Sequence, residues 1–417
     1  MHQSLHLLIV DRDRRTALAA NYGSRWLLPM LTCGERARTA PLIARWCAER
    51  GVTGDVAGEW LGHMTPRGID WLAAIAATSG CSVTEPSLGW MPLDTLSSRL
   101  CVLDYQQWAI ARSLVRGGLP SVDGPFGNLS WPEEVRTWIS GAAGSAVLSL
   151  TPYRVGAHEV VLGADCAKGL VYFKGLMGER ATEARLTHAL AAAAPDSFAR
   201  TLALERRRDS SAWWLTAACP GRPGGDAHRA AQALARVQQR VLAPDALDAL
   251  SVLDLEAAAR WGSELLAGST CEPVVRCHCS RVMRADVPPA WIPMDLDPTN
   301  ILFDDEDRVR FIDLDDSFLG PAPLAMAILA QRRADRTQYR TYERSWSPPL
   351  TGLEWAAFET AATVVDSWLG WTRLERNIVR GEVVIDRDFA AARIRARLAG
   401  AIGGISPCPA RRGGREA

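Results

Sequence analysis

The sequence predicts an α+β protein of several domains: an α/β segment first, a small antiparallel sheet next, and a largely helical remainder. Three observations predict it. Through the first hundred residues, short apolar runs alternate with apolar residues at helical spacing. Strand-like runs with short turns then follow in quick succession. From Ala181 onward Ala and Leu are abundant, and Pro or Gly pairs mark the breaks. At 417 residues the chain has material for two or three domains.

Taken in order, LHLLIV (5–10) and RWLLPML (25–31) are strand-like, and APLIARWCAERGV (40–52) is a helix ending at a glycine. Residues 1–115 form the first predicted domain. Residues 116–130 concentrate Gly, Pro, Ser and Asn and form the predicted linker. WPEEVRTWI opens a helix, with Pro and two Glu in its first turn. SAVLSL, HEVVLGAD and GLVYFKGL then supply the strands of a sheet lobe over 131–220, the last two joined by the turn CAK. ATEARLTHALAAAA starts the helical text, and a helical lobe runs over 221–404. The last residues, 405–417, are rich in Pro, Gly and Arg, with nothing to bury, and are a predicted disordered tail.

Composition excludes several classes. Lys+Arg and Asp+Glu are both 47, so no global basic field attracts nucleic acid or an anionic membrane. PAPLAMAILA (321–330), the longest nearly apolar run, is shorter than the roughly 18 residues of a spanning helix. The ten cysteines are scattered, and MHQSLHLLIV lacks the basic and small-residue flanks of a secretory segment, so the expectation is reduced thiols in a cytoplasm. Cys271, Cys277, His278 and Cys279 lack the paired spacing of a zinc site and are read as fortuitous clustering.

The most informative stretch is PMDLDPTNILFDDEDRVRFIDLDDSFLGP, residues 293–321. Asp295 is followed five residues on by Asn300, then by a strand, an acidic turn, a second strand and Asp313. Phosphoryl transfer needs a carboxylate to orient the attacking hydroxyl and oxygen ligands to hold Mg²⁺ against nucleotide phosphates. This stretch supplies that set. Upstream, Lys174 stands inside the apolar strand GLVYFKGL, with Glu183 nine residues later at a helix start. Only two of the 47 basic residues are Lys, so a Lys in a strand interior calls for a specific role.

These motifs resemble those of the aminoglycoside phosphotransferase and choline kinase-like family, whose catalytic loop usually reads HGDLHPGN and whose metal-binding segment reads IDW or a variant. PMDLDPTN and FIDLDD align with them, and VYFK with TEAR looks like the family's strand Lys and helical Glu. The resemblance implies a protein kinase-like two-lobed fold over about Trp131 to Gly404. It further implies Asp295 as catalytic base, Asn300 and Asp313 as Mg²⁺ ligands, and Lys174 fixed by Glu183 on the ATP phosphates. WWLTAACPG (213–221) stands where the family places its hinge, so Thr216 to Cys219, with both ends as contacts, would meet the adenine.

The implied activity is ATP-dependent transfer of the γ-phosphoryl group to a hydroxyl of a small molecule, aminoglycoside-, amino alcohol- or nucleoside-like. Asp297, Asp315 and Asp316 either face a cationic acceptor or cap turns. Pro293-Met294 replaces the family's His-Gly, which also admits an inactive kinase-like protein that binds a nucleotide or peptide partner. The first domain looks like a Nudix hydrolase in layout, but of the metal-binding carboxylates only Glu49 is kept. One carboxylate does not organise the metal ions of diphosphate hydrolysis, leaving this degenerate Nudix-like domain as a recognition module or a route to a homo-oligomer.

Overall fold

The computed structural model describes residues 2–92 except 12, 14, 23–24, 35–38, 66–67 and 79, then Phe126, and Ser130 to Gly403 except 157, 241–249, 307, 315 and 380–386. Most of the predicted linker and all of the predicted tail lie outside the described residues. The architecture is mixed α+β. The chain folds into two compact units, Met1–Ala184 with Thr201–Ala218 and Asn377–Ile385, and Arg185–Arg200 with Cys219–Arg376 and Asp386–Ala417.

The first unit opens with β1 (His2–Asp11), β2 (Thr16–Tyr22), β3 (Arg25–Leu27), β4 (Met30–Gly34), α1 (Thr39–Glu49), β5 (Gly54–Thr65), β6 (Gly68–Ala77) and β7 (Leu88–Pro92). They form a seven-stranded sheet in the order β3-β2-β1-β6-β5, with β4 on β1 and β7 on β2. β1 lies parallel to β6 from His2↔Gly68 to Asp11↔Ala77, which explains its continuous apolar text: a strand paired on both sides and covered on both faces buries every side chain from Leu5 to Val10. The helix expected over 40–52 is α1, and it turns Ala40, Ile43, Trp46 and Cys47 inward.

After α2 (Trp131–Ala143) come β8 (Val147–Val155), β9 (Glu159–Cys166), β10 (Gly169–Met177), α3 (Thr182–Ala193), β11 (Thr201–Arg206) and β12 (Ser211–Ala217). The strands make an antiparallel sheet in the order β11-β12-β10-β9-β8, as expected for the small sheet lobe. α2 and the seven-stranded sheet share one apolar core with this sheet, running from Leu5 through Trp131 and Phe173 to Leu215. Phe126, inside the predicted linker segment, is a fully buried member of that core, stacked 6.1 Å from Trp213. Trp131 is anchored as well, donating from Nε1 to Ala57 O at 2.7 Å.

The second unit contains β13 (Arg222–Pro223), α4 (Ala227–Arg240), β14 (Ser251–Val252), α5 (Leu255–Leu265), α6 (Glu272–Met283), β15 (Pro289–Pro293), β16 (Ile301–Phe303), β17 (Val309–Phe311), β18 (Ser317–Pro321), α7 (Pro323–Arg333), α8 (Gln338–Arg344), α9 (Trp355–Val379) and α10 (Arg387–Ile402). Its core is helical, with Pro323 to Ala330 of the predicted apolar run buried as the start of α7. Two small sheets, β13-β16-β17 and β14-β18-β15, sit among the helices. No helix of the described residues is long and apolar enough to cross a membrane.

Candidate active site

Lys174 sits in the middle of β10, opposite Val161 of β9 and Trp214 of β12. Strand alternation assigns the two faces. Phe173 packs edge-on against Trp138 of α2 and Trp213, in the large core. Lys174 shares the other face with Leu176. There Leu176, Ala184, Ala212 and Trp214 make a small apolar patch around the start of α3.

Glu183, in the first turn of α3, reaches into this patch, and Lys174 Nζ donates to its Oε1 at 2.9 Å. The side chains are 12% and 4% exposed. At such depth the pair offsets a large desolvation cost by its attraction, and the helix start further favours the carboxylate. The ammonium is thereby fixed in position, 5.9 Å from the centre of the Trp214 ring.

The catalytic-loop candidate follows β15, whose Ala290 to Pro293 are buried. Met294 N donates to Asp316 O at 2.7 Å, prolonging the β15–β18 pairing by one residue. Asp297 then folds the loop back, accepting from Thr299 N at 2.9 Å and Thr299 Oγ1 at 2.7 Å. This turn brings Asn300 under Asp295: its Nδ2 donates to Asp295 Oδ2 at 3.0 Å and to Asp295 O at 3.2 Å. Asn300 is buried, and Asp295 is half-buried.

The hairpin β16–β17 pairs Ile301 with Phe311 and Phe303 with Val309. One further rung, Ile312 N to Asn300 O at 3.0 Å, sets Asp313 one residue beyond Asn300's partner. Asp313 is exposed and adopts a left-handed φ of +60°, a region where Asp is among the few side chains tolerated. Buried Leu314 on its carboxyl side holds that kink in place. The structure thus brings Asp295, Asn300 and Asp313 onto one loop and one hairpin, and joins Lys174 to Glu183.

Thr216 pairs with Tyr172 in the sheet, and Cys219 follows the strand half-buried, its thiol pushed above the ordinary value by burial, with Arg310 opposing. Of the acidic residues beyond the loop, Asp297 is committed to its turn and Asp316 is ion-paired with Arg373 of α9. Asp315 lies outside the described residues. His278 and Cys279 stand on α6, buried. His278 Nδ1 shares a 2.8 Å hydrogen bond with Thr360 Oγ1, and burial pushes the Cys279 thiol up to about 12.

Sequence reasoning missed the support of the loop. Gln238 of α4 is fully buried and donates to Trp291 O at 2.8 Å and Ala322 O at 3.1 Å. Tyr342 OH donates to Gln238 Oε1 at 2.6 Å. These bonds hold β15, which delivers the loop, against α4 and α7. In AQALARVQQR nothing sets Gln238 apart from Gln239 beside it.

An amide oxygen and a carboxylate are hard oxygen donors, and Mg²⁺ takes one or two protein carboxylates while keeping waters and phosphate oxygens as its other ligands. Asn300 spends its Nδ2 on Asp295, so its Oδ1 is the atom suited to a cation. The residues fit such an ion.

No family model matches the sequence, and no curated protein matches it. Among solved structures it is similar to a choline/ethanolamine kinase family protein from Mesorhizobium loti, at 18% identity and TM-score 0.46, covering 65% of this chain and 94% of that one. A spectinomycin phosphotransferase solved with ADP and spectinomycin matches at 8% identity and TM-score 0.48, covering 65% and 97%. A choline kinase from Streptococcus pneumoniae matches at 12% and 0.46, covering 66% and 99%.

Proposed function

We propose that the protein is an ATP-dependent phosphotransferase that moves the γ-phosphoryl group to a hydroxyl of a small molecule. The observation that carries this reading is the Asn300-to-Asp295 hydrogen bond, with Asp313 following the hairpin that begins directly after Asn300. Asp295 accepts the acceptor's hydroxyl proton or orients that hydroxyl for attack. The Asn300 amide keeps the Asp295 carboxylate turned to one side. Asn300 and Asp313 would hold Mg²⁺, which when bound neutralises charge on the nucleotide phosphates. Lys174, fixed by Glu183, grips those phosphates, and the backbone from Thr216 to Cys219 meets the base. An aminoglycoside, amino alcohol or nucleoside is the proposed class of acceptor.

The inactive alternative has one observation in its favour: Pro293 and Met294 are buried apolar residues just before Asp295. For the amino-terminal sheet we propose a Nudix-like scaffold without hydrolase activity, since Glu49 is 62% exposed and paired with Arg50.

The test is Mg²⁺-dependent ADP formation by the purified protein, with and without a panel of aminoglycosides, amino alcohols and nucleosides. Asp295→Ala is expected to lower acceptor-stimulated turnover by about 100-fold or more, and Asp313→Ala to abolish it. An Asp295→Ala protein that consumed ATP as fast as the parent would overturn the proposal. ATP binding without turnover across the panel would favour the inactive reading.

A further inference from the structure

The segment between Cys219 and α4 reads PGRPGGD; it is mostly exposed, but two of its residues pair with β16. Arg222 pairs with Phe303 and Pro223 with Leu302. Gly225 has φ +77°, and a Cβ there would come within 2.5 Å of the Phe303 ring, so the bare backbone rests on that ring. Arg333, in the last turn of α7, reaches the same segment. Its NH1 donates to Gly225 O at 3.1 Å, its NH2 to Gly224 O at 3.3 Å, and its guanidinium stands 5.9 Å from the Phe303 ring centre. Asp226, next in sequence, accepts from His228 N at 2.8 Å and anchors the segment's other end to the start of α4.

β16 is three residues long and begins directly after Asn300. The hairpin is seated in the helical core by Ile301, Phe303, Val309 and Phe311, and the β13 segment along its edge is the further contact that bears on where it lies. We infer that Arg333 is a positioning residue for Asn300 and Asp313: by clamping Gly224 and Gly225 against Phe303, it sets where the β16–β17 hairpin presents both ligands. This rests on the reading of Asn300 and Asp313 as Mg²⁺ ligands. The planar fork of a guanidinium serves the carbonyls of two consecutive peptides at once, which the point charge of a lysine does not reproduce. The neighbouring Arg332 has a different task, an ion pair with Asp366 at 3.0 Å.

The experiment measures Mn²⁺ binding in the presence of ADP by electron paramagnetic resonance, together with thermal melting, for Arg333→Ala, Arg333→Lys, Arg332→Ala and Asp313→Ala. Arg333→Ala is expected to weaken Mn²⁺ binding about tenfold, within the range for groups that orient metal ligands. Arg333→Lys should fall between it and the parent, and it remains informative if the alanine variant does not fold. Arg332→Ala should bind as the parent does. Parent-like Mn²⁺ binding by Arg333→Ala and Arg333→Lys, whatever their melting temperatures, overturns the inference while a weakened Asp313→Ala keeps the metal site. Unaltered binding by Asp313→Ala overturns both.

Discussion

Replacing Lys174 by Met removes an ammonium 2.9 Å from a carboxylate that is only 4% exposed. Burial of both partners makes the loss large: breaking a buried pair from one side costs about 3–5 kcal/mol, whereas replacing both partners with neutral groups of similar volume is often neutral. For a unit of 150–250 residues each kcal/mol lowers the melting temperature by about 2–4 °C, so a loss of 3 kcal/mol corresponds to about 6–12 °C. Lys174→Met should melt lower by that amount, and Lys174→Met/Glu183→Gln should return to within about 1 kcal/mol of the parent in urea unfolding. On the proposed role of Lys174, the recovered double variant should nevertheless form ADP about 100-fold more slowly. A single variant that melts like the parent, or a double variant as unstable as the single, would refute the reasoning about the pair. A stable double variant with parental activity would refute the role given to Lys174.

Gly175→Ala introduces a Cβ 2.5 Å from Cζ of the fully buried Phe126 and 3.2 Å from Phe173. It should cost about 1–3 kcal/mol in urea unfolding, a cost that Phe126→Leu in the same chain partly relieves. Burial, with Arg281 adding to it, holds the His278 imidazole below its ordinary value. The unfolded chain therefore takes up that proton more readily, so this contribution to stability is complete above the unfolded value of about 6.5 and declines as pH falls from there toward the folded value. His278→Gln should lose less stability than the parent between about pH 7 and pH 5.5, and parallel urea midpoints across that range would show that His278 does not titrate as argued.

The parts of this protein that were legible from its sequence are those in which the local pattern and the chemistry coincide. The β16–β17 hairpin was visible because the apolar triplet ILF and the alternating triplet VRF flank an acidic turn, and the folded chain pairs them as that spacing implies. Lys174 was visible because Lys is scarce in this chain, and its partner because a helix start followed within reach. What stayed hidden are couplings set by distant packing. Asp316 and Arg373 are 57 residues apart, and either alone reads as a surface charge. The two carbonyls held by Arg333 are more than a hundred positions away from it. Phe126 stood among residues whose composition signals a turn, and composition does not report that one aromatic among them fills a core.

That aromatic has a bearing on where the part of the chain that carries the candidate site begins. Judged by motifs alone, it starts at Trp131, and everything before looks like a separable attachment. A chain cut there would leave a hole the size of a benzene ring behind Gly175, next door to Lys174, and would strip the Trp131 indole of its acceptor on Ala57. The amino-terminal segment is therefore part of the wall behind the strand that carries Lys174.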